Sequence, residues 1–316
     1  MGHFYDNFLK TLEKRYPRKA DLVNALMDIL PLEKESIYRR LRKDILFTAE
    51  ETMRIANVWN ISLDTITSLS PDITRPFCFH MIEYLNPKEV DYSLLEKYNS
   101  YIEIAGKDPE GKMIQVTKTL PRALYSRSEA LTQFFTMKWL YDMSGDTVAF
   151  GNIKIPERMR AMDLQYVDNV NNIQEIYALH DSRFIENLVG DINYFRSVKM
   201  ITEDEVALLK DELLRILDFM EDAMTNGRIP ETGTKLYVYL AHTWLEIEYV
   251  LYESKSLNLS GIKVLERNVV YSLDKEVLNI FMNMFQALKR SSVLTSESSL
   301  LVTEFCTKHR EIINSL

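Results

Sequence analysis

The sequence predicts a mainly α-helical protein, with an N-terminal five-helix bundle and a larger, mostly helical domain that contains a small antiparallel β-sheet. Three observations support this fold class. Apolar residues recur at helical spacing through most of the 316 residues. Gly and Pro number only nine each, which disfavours turn-rich all-β folds and long flexible linkers. Between residues 235 and 265 the period changes, and the stretch EIEYVLYE alternates as a strand does.

Five short helices are predicted in the first 70 residues. Prolines end the first two of them, because proline cannot continue the helical hydrogen bonds. Ile37 and Leu41, four residues apart, give the third helix a buried face. Thr48 and Glu51 form a capping box that begins the fourth, since each side chain can accept a hydrogen bond from the other residue's free N–H. The predicted helices begin near residues 4, 19, 33, 48 and 61.

The larger domain is predicted to combine long helices with a few strands. Residues 113–117 (MIQVT) predict a short strand, and residues 235–265 predict two or three more strands in a meander. Glu246 and Glu248 would share one face of a strand, and solvent exposure explains that pair better than acid–base catalysis does. Helices are predicted at residues 89–105, 128–143, 157–170, 182–198, 202–227, 274–290 and 297–315.

Charge and composition divide the chain into two parts. The stretch SPDITRP, Ser70–Pro76, predicts a boundary between residues 1–70 and residues 77–316, with a possible sub-boundary near 228–234. The net charge is −8, but residues 1–70 hold 11 Lys and Arg against 10 Asp and Glu, a balance of +1. The basic cluster RRLRK at residues 39–43 therefore stands in a nearly neutral segment that precedes an acidic body.

The sequence favours a cytoplasmic protein without a membrane segment. Cys78 and Cys306 are far apart and belong to no CxxC pattern, which argues against a disulfide framework or a zinc site. No apolar run reaches 18 residues, and the N-terminal stretch is charged throughout. We therefore expect neither a transmembrane helix nor a secretory signal.

No catalytic motif is present. The chain lacks GxGxxG, a Walker loop, GxSxG and HExxH, so we expect no enzymatic activity, no cofactor and no metal. The five histidines show no ligand spacing; they are His3, His80, His180, His242 and His309.

Residues 36–66 resemble the lambda-repressor-like, Xre-type helix-turn-helix family, and the resemblance extends more weakly back to about Leu26. LMDILPLEKESIYR looks like the second helix, the turn and the recognition helix of that family. NISLDTI is similar to the closing GVSLDEL of the family, with Asn60 in place of the usual Gly. The sequence departs from the family at Pro31, where a turn Gly is usual, and at Glu33, where Ser or Thr is usual. Its apolar positions match at Leu26, Leu30, Leu32 and Ile37.

The resemblance implies a bacterial or phage type of transcriptional regulator that binds double-stranded DNA. Docking geometry suggests a homodimer, because two half-sites multiply specificity. The third helix would enter the major groove, where arginine can pair with guanine and serine or lysine can take phosphates. The larger domain would dimerise, contact a partner, or sense a small-molecule or protein effector. The DNA-binding residues would be Lys34, Glu35, Ser36, Tyr38, Arg39, Arg40, Arg42 and Lys43.

Three alternatives remain open. The cluster RRLRK could be the solvated side of a surface helix, or the bundle could be a protein-interaction scaffold that does not bind DNA. An enzymatic larger domain would need an active site that the sequence does not display.

The predicted strand region is rich in aromatic residues, which could pack a sheet or line a pocket or dimer surface. These residues are Tyr237, Tyr239, Trp244, Tyr249 and Tyr252.

Overall fold

The computed structural model describes residues 2–59, 61, 63, 66, 77–265 and 267–316. The chain forms two compact units, Met1–Pro76 and Phe77–Leu316. The proposed boundary, Ser70–Pro76, and most of the predicted fifth helix lie outside the described residues. The first unit contains α1 (Gly2–Arg15), α2 (Lys19–Ile29), α3 (Lys34–Leu41) and α4 (Ala49–Trp59).

The first four helices of the first unit form where the sequence predicts them. They surround an apolar core in which Phe8, Leu12 and Ile55 are completely buried. The predicted capping box of α4 is confirmed, because the N–H of Thr48 donates to Glu51 Oε2 at 2.9 Å and the N–H of Glu51 donates to Thr48 Oγ1 at 3.1 Å. These bonds satisfy backbone donors that the first helical turn leaves open.

The second unit contains eight α-helices and seven strands among its described residues. The helices are α5 (Glu89–Lys107), α6 (Arg122–Tyr125), α7 (Glu129–Ser144), α8 (Glu157–Asn171), α9 (Phe184–Ser197), α10 (Glu203–Asn226), α11 (Lys275–Lys289) and α12 (Ser299–Asn314). The strands are β1 (Lys112–Thr117), β2 (Glu175–Asp181), β3 (Lys235–Ala241), β4 (Tyr249–Glu253), β5 (Asn258–Val264), β6 (Asn268–Ser272) and β7 (Ser292–Leu294). Two 3₁₀ turns lie at Phe150–Asn152 and Thr295–Glu297.

All seven helices that the sequence predicts in this unit are present, with ends within two residues of the prediction. The short α6 was not predicted. The predicted capping box of α10 is confirmed at Thr202 and Glu205, and Gly227 ends that helix in a left-handed conformation. Residues 228–234, the possible sub-boundary, form the turn into β3 inside this unit. No described helix has both the length and the apolar character that crossing a membrane requires.

The prediction of a small antiparallel sheet is wrong, because the sheet is mixed and has seven strands. Its order is β6-β5-β4-β1-β2-β3-β7, and β1, β2 and β3 are parallel. Only β4, β5 and β6 form an antiparallel meander. β3 pairs with β2, a strand that is absent from the sequence prediction. Residues 242–248 lie in no strand. Parallel strands are joined by long helical crossovers, so local alternation cannot show their pairing.

Helices cover both faces of the sheet. The side-chain alternation of β2 directs Ala178 toward the apolar cluster of α10, whereas Leu179 packs with Phe281 and Phe285 of α11. Phe281 and Phe285 therefore belong to the core, whereas Met284 between them is 38% exposed.

The aromatic set of this region divides between core and surface. Tyr239, Tyr249 and Tyr252 are buried and pack the sheet. Trp244 is instead 62% exposed, and the cationic groups of Lys118 and Arg183 lie 5.5 and 5.6 Å from its ring centroid. Packing therefore accounts for most of the aromatic residues that alternate in this part of the sequence.

The expected solvent exposure of Glu246 and Glu248 is wrong for Glu248. Its carboxylate accepts hydrogen bonds from the Thr119 hydroxyl at 2.8 Å and the Lys118 N–H at 3.0 Å. Burial would raise the pKa of Glu248, but the charge of Lys263 and these hydrogen bonds hold it below its ordinary value. These hydrogen bonds connect the segment before β4, which contains Glu248, to the end of β1.

A buried carboxylate, Asp163 of α8, lies between two guanidinium groups. Arg267 Nη2 donates to Asp163 Oδ2 at 2.6 Å, and Arg122 Nη2 donates to Asp163 Oδ1 at 2.5 Å. The side chains of Asp163 and Arg267 are 2% and 0% exposed. Burial would raise the pKa of Asp163, but the two positive charges outweigh it and lower that pKa.

We expect Asp163→Asn to lower the free energy of unfolding of the second unit by about 3–5 kcal/mol, because it leaves Arg267 buried without a counter-charge. Urea unfolding followed by near-UV circular dichroism measures the change. Asp168→Asn, on the exposed side of the same helix, is the control and should change stability by less than about 0.5 kcal/mol. Equal effects of the two substitutions would contradict the structural role of Asp163.

The imidazole of His180, on β2, is also buried. His180 is 3% exposed, and burial lowers the pKa of its ring to about 4 from an ordinary value of 6.5. The folded protein therefore keeps His180 neutral between these two values, whereas the unfolded chain protonates it below 6.5.

The second unit should therefore lose stability as the pH falls from about 6.5 toward 4, with up to about 3 kcal/mol due to His180. His180→Leu removes this contribution, so the difference in unfolding free energy between wild type and variant should shrink or reverse in favour of the variant as the pH falls. Urea titrations at several pH values measure it. His309, whose pKa is also lowered by burial, is unchanged in the variant and cancels in the difference. If the difference in unfolding free energy between wild type and His180→Leu does not change with pH, His180 does not have the lowered pKa described above.

Candidate nucleic-acid interface

In the first unit, α2 and α3 are joined by a short connection. α2 ends at Ile29, and the N–H of Leu30 donates to the carbonyl of Leu26. Pro31 follows, and its fixed φ and missing N–H suit a segment that makes no helical hydrogen bonds. Glu33 is extended and provides no side-chain cap for α3. Four residues therefore connect the two helices.

α3 separates a packing face from an exposed face. The predicted burial of Ile37 and Leu41 is confirmed, and both lie in the core of the first unit. Lys34, Glu35 and Arg39 are exposed on the same helix. The i, i+4 spacing of the apolar pair thus leaves the charged side chains available to solvent.

Two predicted residues of α3, Ser36 and Tyr38, are only half-buried. The ammonium of Lys19 lies 6.0 Å from the ring centroid of Tyr38. Lys19 and its neighbour Arg18 are exposed at the start of α2, and neither was included in the predicted DNA-binding set. Their positive charge is visible in the sequence, but the approach of Lys19 to α3 depends on how the two helices pack.

Arg40 is engaged in the fold. Its Nε and Nη2 donate to the two carboxylate oxygens of Glu51 at 2.9 and 2.8 Å, and the two side chains are 12% and 16% exposed. Its guanidinium lies 5.8 Å from the ring centroid of Phe47. Burial would raise the pKa of Glu51, but the hydrogen bonds from Arg40 and from the Thr48 N–H lower it. Because Glu51 also caps α4, the pair joins α3 to the start of α4.

The two cations that follow α3 are exposed but paired. Arg42 donates to Glu35 at 2.9 Å and to Asp44 at 3.1 Å. Lys43 pairs with Asp6 and has a left-handed φ of 66°, which ends the helix. Water and salt screen exposed ion pairs, so a phosphate can compete with these carboxylates.

Lys34 and Arg39 differ from the other basic residues between positions 34 and 43. The ion pairs given above occupy Arg40, Arg42 and Lys43, whereas Lys34 and Arg39 have no ion-pair partner among the described residues. They stand in the first and second turns of α3. An ammonium and a guanidinium that are exposed on one short helix can donate hydrogen bonds to phosphate oxygens or to base edges.

No protein-family model, curated protein or solved structure matches the chain. In the described part of the chain, no group of three or more His, Cys, Asp or Glu side chains is placed to hold a metal ion. Function must therefore be inferred from the residues themselves.

We expect Arg40→Ala to weaken the contact between α3 and α4 by about 2 kcal/mol, because it removes two charge-assisted hydrogen bonds to Glu51. Hydrogen–deuterium exchange of peptides covering the two helices measures the local opening. Arg39→Ala removes the same charge from the adjacent exposed position and should leave exchange unchanged. If both substitutions accelerate exchange equally, Arg40 has no special role in the fold.

Proposed function

We propose that this chain is a sequence-specific DNA-binding transcriptional regulator, in which α3 enters the major groove and the second unit supplies dimerisation, partner contact or effector sensing. One observation carries the proposal. α3 packs through Ile37 and Leu41, whereas Lys34 and Arg39 are exposed and have no ion-pair partner in the described part of the unit. Helix-turn-helix recognition requires this separation of packing and reading faces.

The exposed groups have chemical counterparts on DNA. Arg39 can donate two parallel hydrogen bonds to O6 and N7 of guanine. Lys34 stands in the first turn of α3, where free backbone N–H groups also favour an anion, and can contact a phosphate. Arg18 and Lys19 at the start of α2 add two cations that can hold neighbouring phosphates.

Glu35 decides part of the specificity in this proposal. A free carboxylate near DNA repels phosphates, but Arg42 lies 2.9 Å from Glu35 and neutralises it. The carboxylate can instead accept a hydrogen bond from the amino group of cytosine. Glu35 therefore disfavours sites that offer no such donor.

A homodimer is the form that suits this mechanism. A single helical bundle covers few base pairs, and the first 70 residues carry a balance of only +1, so one copy has little non-specific affinity for DNA. Two copies on two half-sites multiply both affinity and specificity.

The alternative is a protein-interaction scaffold whose bundle does not bind DNA. The observation that favours it is the number of carboxylates around the basic cluster: Arg40, Arg42 and Lys43 are all paired with acids, and Glu33 is exposed at the start of α3. In this alternative, the basic residues stabilise the bundle and the exposed face of α3 contacts a protein.

Selection from a randomised duplex library at two salt concentrations tests the proposal. The full chain should enrich a two-part motif, and Lys34→Ala/Arg39→Ala should lose that motif with an affinity lower by at least about tenfold. The logarithmic salt dependence of its affinity should also become shallower by about 1–2, because fewer phosphates are neutralised.

The matched control is Lys10→Ala/Lys14→Ala, which removes the same charge from exposed positions of α1. It should keep the motif. If both double variants lose affinity equally, binding is non-specific electrostatic attraction. If the wild-type chain enriches no sequence even at low salt, the scaffold alternative is favoured.

A further inference from the structure

A large apolar pocket lies in the second unit between the sheet and α10. Its volume is about 440 Å³. Ile176 and Ala178 of β2 and Val238 of β3 form its floor, and Val167 of α8 and Phe219 of α10 form its walls. We call this space the α10 pocket.

The strand register explains why this space exists. Ala178 is paired with Gln115 on β1 and with Val238 on β3, so a small side chain occupies the centre of the floor. Ala223 of α10 also lines the pocket. Protein interiors are close-packed, and voids much larger than a water molecule are few. The α10 pocket is instead within the range of about 300–1,000 Å³ that is typical of ligand sites.

Two polar side chains, His180 and Gln115, line the α10 pocket. The buried Nδ1 of the His180 ring has no hydrogen-bond partner among the described residues. Gln115, which is half-buried, carries an amide that can donate and accept hydrogen bonds. A buried polar group without a partner is costly, and a ligand that supplies the partner removes that cost.

The charges at the edge of the α10 pocket compensate one another. Arg127 pairs with Glu231 at 3.3 Å, and Arg215 pairs with Glu212. Burial lowers the pKa of His180 to about 4, so its imidazole is neutral near neutral pH. The pocket therefore offers no unpaired charge to a charged ligand, and burying one would be unfavourable.

We propose that the α10 pocket binds an uncharged, largely apolar small molecule whose hydrogen-bonding group meets His180 and Gln115. The apolar floor and walls bury the body of the ligand, and the two polar side chains orient it. This inference concerns the second unit alone and does not rest on DNA binding, so either proposal can fail without the other.

The first test uses the full chain and N-phenyl-1-naphthylamine, an uncharged aromatic amine whose emission rises in apolar surroundings. Ala178→Phe fills the floor of the α10 pocket and should weaken binding of this probe by at least about tenfold. Ala287→Phe introduces the same group at an exposed position of α11 and should leave binding unchanged. Equal binding by wild type and Ala178→Phe would overturn the proposal, as would the absence of binding to wild type.

The second test measures displacement of the probe by 1-decanol and by decanoate, which share an alkyl chain and differ in charge. 1-Decanol should displace it at a concentration at least about tenfold lower, because the interior of the pocket is apolar and burying a carboxylate there is unfavourable. His180→Leu should weaken 1-decanol binding by about five- to tenfold, since it removes the hydrogen-bond partner.

Displacement by decanoate as effective as that by 1-decanol would overturn the assignment to an uncharged ligand. An unchanged 1-decanol affinity in His180→Leu would overturn the role of His180. Because neither measurement needs Ala178→Phe, they decide the proposal even if that variant does not fold. Circular dichroism and urea unfolding of His180→Leu confirm that the variant compared is folded.

Discussion

The second unit depends most on the two ion pairs that the Asp163 carboxylate forms with Arg122 and Arg267. The carboxylate places α8 against Arg122, in the segment after β1, and against Arg267, between β5 and β6. Arg267 also donates to the Thr136 hydroxyl of α7 at 2.7 Å, and its guanidinium lies 4.0 Å from the ring centroid of Tyr84. A buried charge must keep its partners, so these segments cannot shift independently. The α8 wall of the apolar pocket is held in place by the same network.

The basic cluster of the first unit serves two purposes. Arg40 holds α3 to α4 through Glu51, whereas Arg39, its neighbour, is exposed. Successive residues of a helix point about 100° apart, so adjacent arginines necessarily meet different surroundings. Composition alone therefore overstates the positive surface: only part of RRLRK is available to a partner, and Lys19 of α2 adds charge from outside the cluster.

The residues that line the apolar pocket are of the types that normally fill a close-packed core. Ile176, Val238 and Phe219 are the side chains of a packed interior, and the small side chains of Ala178 and Ala223 leave space between them. The same sheet carries a close-packed opposite face, where Leu179 meets Phe281 and Phe285. One strand thus contributes to a core on one side and to a candidate ligand site on the other.

Local sequence patterns account for the described helices, except for the short α6. Their ends, their capping boxes and the burial of Ile37 and Leu41 follow from spacings of three or four residues, which neighbours in the chain dictate. The outward exposure of Lys34 and Arg39 on α3 follows from the same periodicity.

The features that join distant parts of the chain could not be predicted from local patterns and appear in the folded structure. They include the pairing of β3 with β2, the hydrogen bonds of Glu248 to residues that follow β1, and the ion pair of Asp163 with Arg267. The fold also places His180 in the apolar pocket. These outcomes depend on which segments meet across tens or hundreds of residues, and such contacts leave no local periodicity in a single sequence. The physical reason is that helical hydrogen bonds close within four residues, whereas strand pairs, ion pairs and cavities do not.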